Sequence, residues 1–147
     1  MITIETKTFQ ELTTTELYDL LQLRSDVFVV EQDCVYLDID GKDKKALHVI
    51  GKKNDKIVAY TRLFKSGDYF DNASIGRVVV LNSERTHKYG YDIMKASIKA
   101  IHDFYNETII KLSAQVYLKQ FYNNLGFIET GEEYLEDGIP HILMQLN

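Results

Sequence analysis

The 147-residue chain holds one cysteine, Cys34, and one proline, Pro140. A single thiol cannot close an internal disulfide and excludes a cysteine-built metal centre. Basic excess is missing too: 17 Lys and Arg face 22 Asp and Glu, a formal net charge of −5. Nucleic-acid binding draws most of its affinity from Lys and Arg on phosphates. Here the lysines are scattered or interleaved with acids, as in Gly41-Lys42-Asp43-Lys44-Lys45, so no nucleic-acid partner is expected. No apolar run approaches the ~20 residues that span a bilayer, so no membrane partner is expected either. The opening Met1-Ile2-Thr3-Ile4-Glu5 lacks the basic and apolar regions of a secretory signal, and the expected address is the cytoplasm.

What is present describes a globular chain: 45% of residues are hydrophobic and 27% charged, which a disordered segment would not show. No repeat, low-complexity stretch or Gly/Ser/Pro-rich linker divides the sequence, so residues 1–147 read as one domain. Residues 2–9 alternate apolar and polar side chains, the pattern of a half-buried strand. Thr13 and Glu16 form a capping-box pair, and Leu17, Leu20, Leu21, Val27 and Phe28 follow at helical spacing, predicting a helix to about Val30. After an acidic irregular stretch come strand-like runs at 46–52 and 57–64, joined at Asn54-Asp55. The run Ile75–Leu81 is dense in β-branched residues and suits the middle of a sheet. A second helix is expected from about Gly90, with Met94, Ile98, Ile101 and Tyr105 on its buried face. A strand at 109–116, a short helix at 118–125 stopped by Gly126, and two strands at 127–134 and 139–146 around Asp137-Gly138 complete the chain. The fold class is therefore α/β (α+β), in the order β-α-β-β-β-α-β-α-β-β.

The turn between the strand at Ile75–Leu81 and the second helix is a template for anion binding. The first N–H groups of a helix lack partners, and its dipole favours negative charge there. Arg85, His87 and Lys88 concentrate positive charge at this point of an acidic protein. An ordinary solvated loop ending at Gly90 would read the same way.

The segment Arg85-Thr86-His87-Lys88-Tyr89-Gly90 resembles the Arg/Gln-x-x-Gly-x-Gly/Ala pyrophosphate loop of the GNAT acetyltransferase superfamily. Arg85 and Gly90 match, while Lys88 stands where the first glycine is usual. Further on, Tyr117-Leu118-Lys119-Gln120-Phe121-Tyr122-Asn123-Asn124-Leu125-Gly126-Phe127 resembles that family's Tyr-x-x-x-Gly-Phe segment. The stretches at 24–32 and 136–141 resemble the ElaA-type branch of the superfamily. The likeness runs over nearly the whole chain.

The resemblance implies a mixed, mostly antiparallel sheet of about seven strands flanked by helices, splayed between the strands at 75–81 and 109–116. It implies acetyl-CoA as the cofactor, its pantetheine arm in the gap beside backbone groups of Val78, Val79 and Val80. The pyrophosphate would meet Arg85, Thr86, His87, Lys88, Tyr89, Gly90 and Tyr91. Gln115 would stand near the pantetheine arm, and Tyr122 would be the general acid. The acceptor would be a small-molecule or peptide amine. A lysine-like amine lies about 3.4 pH units from its neutral form at pH 7, or about 4.6 kcal/mol, so a base or water chain must take its proton. Many relatives use a central-strand glutamate for this, but residues 74–81 contain no carboxylate. Glu31, His48 and His141 are the candidates, with His48 the most core-like, and the catalytic set is Tyr122, Glu31 and His141. Cys34 reads as a small buried apolar residue. Acids such as Glu31, Asp33, Asp38, Asp40 and Asp43, if they line the cleft, would favour a cationic acceptor. A non-catalytic acyl-CoA sensor is the rival function, and the apolar C-terminal strands leave both a homodimer and simple core packing open.

Overall fold

The computed structural model describes every residue from Met1 to Asn147. One sheet of eight strands carries the chain: β1 (Thr3–Thr8), β2 (Leu47–Lys53), β3 (Lys56–Phe64), β4 (Ala73–Val80), β5 (Ile110–Gln115), β6 (Ile128–Glu129), β7 (Tyr134–Glu136) and β8 (Ile139–Leu146). The helices are α1 (Thr14–Arg24), α2 (Tyr89–Tyr105) and α3 (Lys119–Asn124). Strand order is β1-β2-β3-β4-β5-β8-β6, with β7 also on β8, and every pairing is antiparallel except β4 with β5. The mixed α/β class and element order expected above hold. The eighth strand arises because the expected strand at 127–134 is broken. Gly131, Glu132 and Glu133 interrupt it, and β6 and β7 each pair with a different part of β8.

Local chemistry explains the elements. Thr13 accepts from the Glu16 N–H while Glu16 accepts from the Thr13 N–H, the capping box in full. Asn54-Asp55 and Asp137-Gly138 take positive φ at both positions, the conformation that matches the twist of two-residue hairpins. α1 ends earlier than its hydrophobic spacing predicts. At Ser25 it widens into a π-helix to Glu31, and the Gln32 N–H bonds the Val27 carbonyl five residues back. Such wide turns shift the side chains beyond them around the axis. Here they aim Phe28, Glu31 and Gln32 into the interior cleft described below.

Two cores hold the sheet. Ile93, Met94, Ala100 and Ile101 of α2 pack on Val49, Leu63, Ile75 and Leu112 on one face. Leu20, Leu23 and Val27 pack on Ile50, Tyr60 and Val79 on the other. β4 and β5 pair only at their start, Ala73 with Ile110 and Ser74 with Lys111, and then diverge. A bulge on β4 accompanies the divergence. The register against β3 slips by one residue between Tyr60 and Arg62, and Arg77 sits at φ +51°. Beyond it, the β4 edge facing β5 is unpaired.

Candidate active site

The splay opens a cavity of about 750 Å³. Its walls include Val78, Val79 and Val80 of β4, Gln115 at the end of β5, Tyr122 of α3, and Glu31 and His141. One mouth carries Arg85, Lys88, Gly90 and Tyr91. Most residues singled out from the sequence thus meet around one space. Thr86, His87 and Tyr89 do not: Thr86 and His87 are exposed, and the buried Tyr89 hydroxyl accepts from the Met1 ammonium at 3.1 Å.

The loop before α2 is shaped for an anion. A 3-10 turn at Asn82–His87 ends on Lys88 in the left-handed region (φ +60°), and no side chain caps α2. Positive φ explains why glycine is usual there, and this chain places a lysine in the same conformation. Gly90 is required for another reason. A Cβ there would lie 3.2 Å from the Phe121 ring, which packs between Tyr91 and Tyr122. Arg85 donates to the Val80 carbonyl at 3.1 Å and grips Glu31 with both terminal nitrogens at 2.5 and 2.9 Å. A β4 carbonyl and the end of the π-helix therefore orient it together.

Tyr122 is 5% exposed, wedged edge-on against Phe121 and Phe127. Burial pushes its hydroxyl far above the usual tyrosine range, so it holds its proton at neutral pH. His141 lies opposite Gln115 in the β5–β8 register. Its Nδ1 donates to the Ile139 carbonyl at 2.7 Å, which leaves Nε2 as the basic nitrogen, 3.5 Å from a Glu136 oxygen. Gln115 exchanges side-chain hydrogen bonds with Gln32 at 3.3 Å. His48 is wholly buried away from the cavity. Its Nε2 donates to the Asp43 carbonyl and its Nδ1 accepts from the Tyr60 hydroxyl, so it serves the core. Cys34 is half-buried in the cavity wall, not in the core.

The acidic stretch differs most from expectation. Asp38, Asp40 and Asp43 do not present charge to the cleft. Asp38 and Asp43 bind the fully buried Arg24 at 2.9 and 2.7 Å, and Asp40 and Asp43 bind Arg62 at 2.8 and 3.1 Å. Arg77 reaches Asp38 and Asp40 at 2.7 and 3.4 Å. Three arginines thus neutralise three aspartates and pin the loop after the π-helix onto the sheet. This network was invisible in the sequence, because its bonded partners lie up to 39 residues apart. An argument for a cationic acceptor from these aspartates fails with it.

The cavity fits an acyl-CoA: it is open between two strands, bordered by an unpaired strand edge, and basic at the mouth beside an uncapped helix start. Comparison with known proteins agrees. Residues 14–147 match the family model described as an acetyltransferase (GNAT) domain. The chain belongs to the GNAT acetyltransferase family. It is 46% identical over 136 residues to protein ElaA of Escherichia coli K12, covering 91% of this chain and 89% of that one. The crystal structure of E. coli ElaA superposes with a TM-score of 0.93 at 42% identity, covering both chains in full. An acyl-CoA N-acyltransferase from Pseudomonas aeruginosa superposes with a TM-score of 0.94 at 37% identity, again over both chains in full. The ElaA-type resemblance is borne out, and this GNAT chain is an acyltransferase.

Proposed function

We propose that this single-domain protein transfers an acetyl group from acetyl-CoA to a primary amine of a small molecule or peptide by direct attack. The observation that carries the reading is the splayed β4–β5 gap, with Arg85 and Lys88 at one mouth and the shielded Tyr122 hydroxyl in its wall. Acetyl-CoA supplies an activated acyl group: the nitrogen–carbon bond forms as the carbon–sulfur bond breaks, one proton leaving the amine and one reaching sulfur. Arg85, Lys88 and the first N–H groups of α2 hold the pyrophosphate. The free edge of Val78–Val80 lies along the pantetheine arm, beside Gln115, and offers an N–H to the carbonyl oxygen. Tyr122 keeps its proton until sulfur needs one. His141 Nε2 is the favoured base, since the other candidate, Glu31, is held by Arg85. An acid kept in the cavity wall is of no use to a sensor, which favours catalysis over mere acyl-CoA binding.

Two measurements test this. Acetyl-CoA at 100 times its dissociation constant is expected to add about 2.7 kcal/mol of stability, read as a rise in melting temperature. Tyr122→Phe is expected to lower kcat by about 10²- to 10⁴-fold while the CoA-induced shift remains. No shift at millimolar acetyl-CoA would sink the proposal, and an unchanged kcat would remove Tyr122 from it.

A further inference from the structure

Two buried polar groups in the cavity wall have no partner within the chain. Ser74 is 2% exposed and Arg62 1%. Both line the cavity, and neither the Ser74 hydroxyl nor the Arg62 Nε–H makes a hydrogen bond. Both terminal nitrogens of Arg62 are held by Asp40 and Asp43, whereas its Nε–H has no partner. Buried polar groups are nearly always paired, and an unpaired one is costly to keep.

The strand register sets these groups side by side. Arg62 stands opposite Gly76 and Phe64 opposite Ser74, so all four positions share one face of the β3–β4 pair. Gly76 has ordinary backbone angles, and a Cβ there would meet no atom within 4 Å. Neither conformation nor crowding calls for glycine at this position. Its missing side chain instead leaves open space beside two idle donors. An aromatic wall adjoins them: Phe64 and Tyr69 stack at 5.2 Å, and Phe70 meets Tyr69 edge-on at 4.9 Å.

We propose that this end of the cavity is the acceptor subsite, built for an aromatic α-amino amide. The carbonyl oxygen next to the reacting amine accepts from Arg62 Nε–H and Ser74 Oγ–H, and the aromatic side chain lies against Phe64, Tyr69 and Phe70. Because three aspartates neutralise the three arginines nearby, the site offers donors without net positive charge. That favours an amide carbonyl over a free carboxylate. The assignment rests on the acetyl-transfer reading above.

Thiol release from acetyl-CoA is measured with three acceptors. L-phenylalaninamide and a phenylalanyl-alanyl-alanine tripeptide carry the carbonyl in a small molecule and at a peptide terminus, and phenethylamine lacks it. In the native protein at least one carbonyl-bearing amine is turned over. Ser74→Ala is expected to reduce its kcat/KM relative to phenethylamine by about tenfold, the loss of one hydrogen bond. The same variant, ligand-free, is expected to melt no lower than the native protein, because the deleted hydroxyl has no partner to lose. Gly76→Val, which fills the open space, is expected to reduce the ratio further.

A protein that binds acetyl-CoA yet turns over none of the three amines overturns the subsite and leaves the donor reading intact. An unchanged ratio in Ser74→Ala does the same. A Ser74→Ala effect that follows the length of the acyl group across acetyl-, butanoyl- and hexanoyl-CoA, with the acceptor ratio constant, assigns the pocket to the donor and also overturns it. Failure of acetyl-CoA itself to raise the melting temperature strikes the donor reading instead.

Discussion

Arg85 and Glu31 show how one residue pair can serve two states. Both side chains are more than a third, or close to a third, exposed, and ion pairs at such sites add at most about 1 kcal/mol to stability. The guanidinium is nevertheless held at the mouth of the cavity, where a phosphate would compete with the carboxylate for it. Arg85→Ala is expected to leave the melting temperature nearly unchanged and to weaken CoA binding about 10- to 100-fold, the worth of a charged hydrogen bond, in a calorimetric titration. Glu31→Gln separates the two roles open to that glutamate. If it only restrains Arg85, CoA binds as tightly or more tightly and kcat holds; if it is the base, kcat falls with binding intact. The sequence pointed to Arg85, Tyr122, Glu31 and His141 because each sits in a recognisable local pattern. It could not point to Ser74, Arg62 or Gly76, whose importance lies in an unpaired hydroxyl, an unpaired N–H and an empty volume. Those properties exist only once strand register is known.

Elements bring these residues together, and the divergence of β4 from β5 matters most. Two residue pairs join the strands before the bulge at Arg77 turns β4 away. The gap is closed at its wide end by α3, whose Phe121 rests on the bare backbone of Gly90. Gly90→Ala would place a methyl 3.2 Å from that ring, tighter than ordinary contact. Phe121 lines the cavity, so the displacement is expected to weaken CoA binding as well as stability, by about 1–3 kcal/mol in chemical denaturation, typical of overpacking. An exposed alanine at the second helical position would instead be neutral or mildly stabilising. Most elements were legible because their cues are local: the Thr13–Glu16 box, the Asn54-Asp55 and Asp137-Gly138 turns, and the stop at Gly126. The π-helix at Ser25–Glu31 was not, since Val27 and Phe28 fit an α-helical stripe equally well. What widens the turn there accompanies a long-range contact, the burial of Arg24 against Asp38 and Asp43 at its start.

At the scale of the whole molecule, buried charge ties α1 and the loop after the π-helix to β3 and β4 and makes stability depend on acid. Burial disfavours ionised Asp40, but hydrogen bonds from Arg62 and the Lys42 N–H outweigh it and hold the carboxyl at about 2. Burial opposes ionisation of Glu16 likewise, and Lys52 and Lys7 prevail, again at about 2. Asp43 is also held below the ordinary 3.8, by Arg24 and Arg62. Each group binds protons more readily when unfolded, so its contribution is complete above its ordinary value and is lost as pH falls towards 2. His48 works in the same direction from higher pH. Burial keeps it neutral and depresses it below 6.5, so unfolding is assisted once the unfolded imidazole begins to charge. Stability measured by urea denaturation is therefore expected to be level from about pH 7 to 8, to decline gently below 6.5, and to fall steeply between about 4.5 and 2. Asp43→Asn provides the control. Removing one partner of a buried ion pair should cost about 3–5 kcal/mol at pH 7, and the penalty should shrink at pH 3, where the carboxyls of the unfolded chain are already largely protonated. A penalty unchanged from pH 7 to pH 3 would mean that Asp43 acts through shape and not charge. The acid limb of the profile would then belong to Asp40 with Arg62 and to Glu16 with its two lysines.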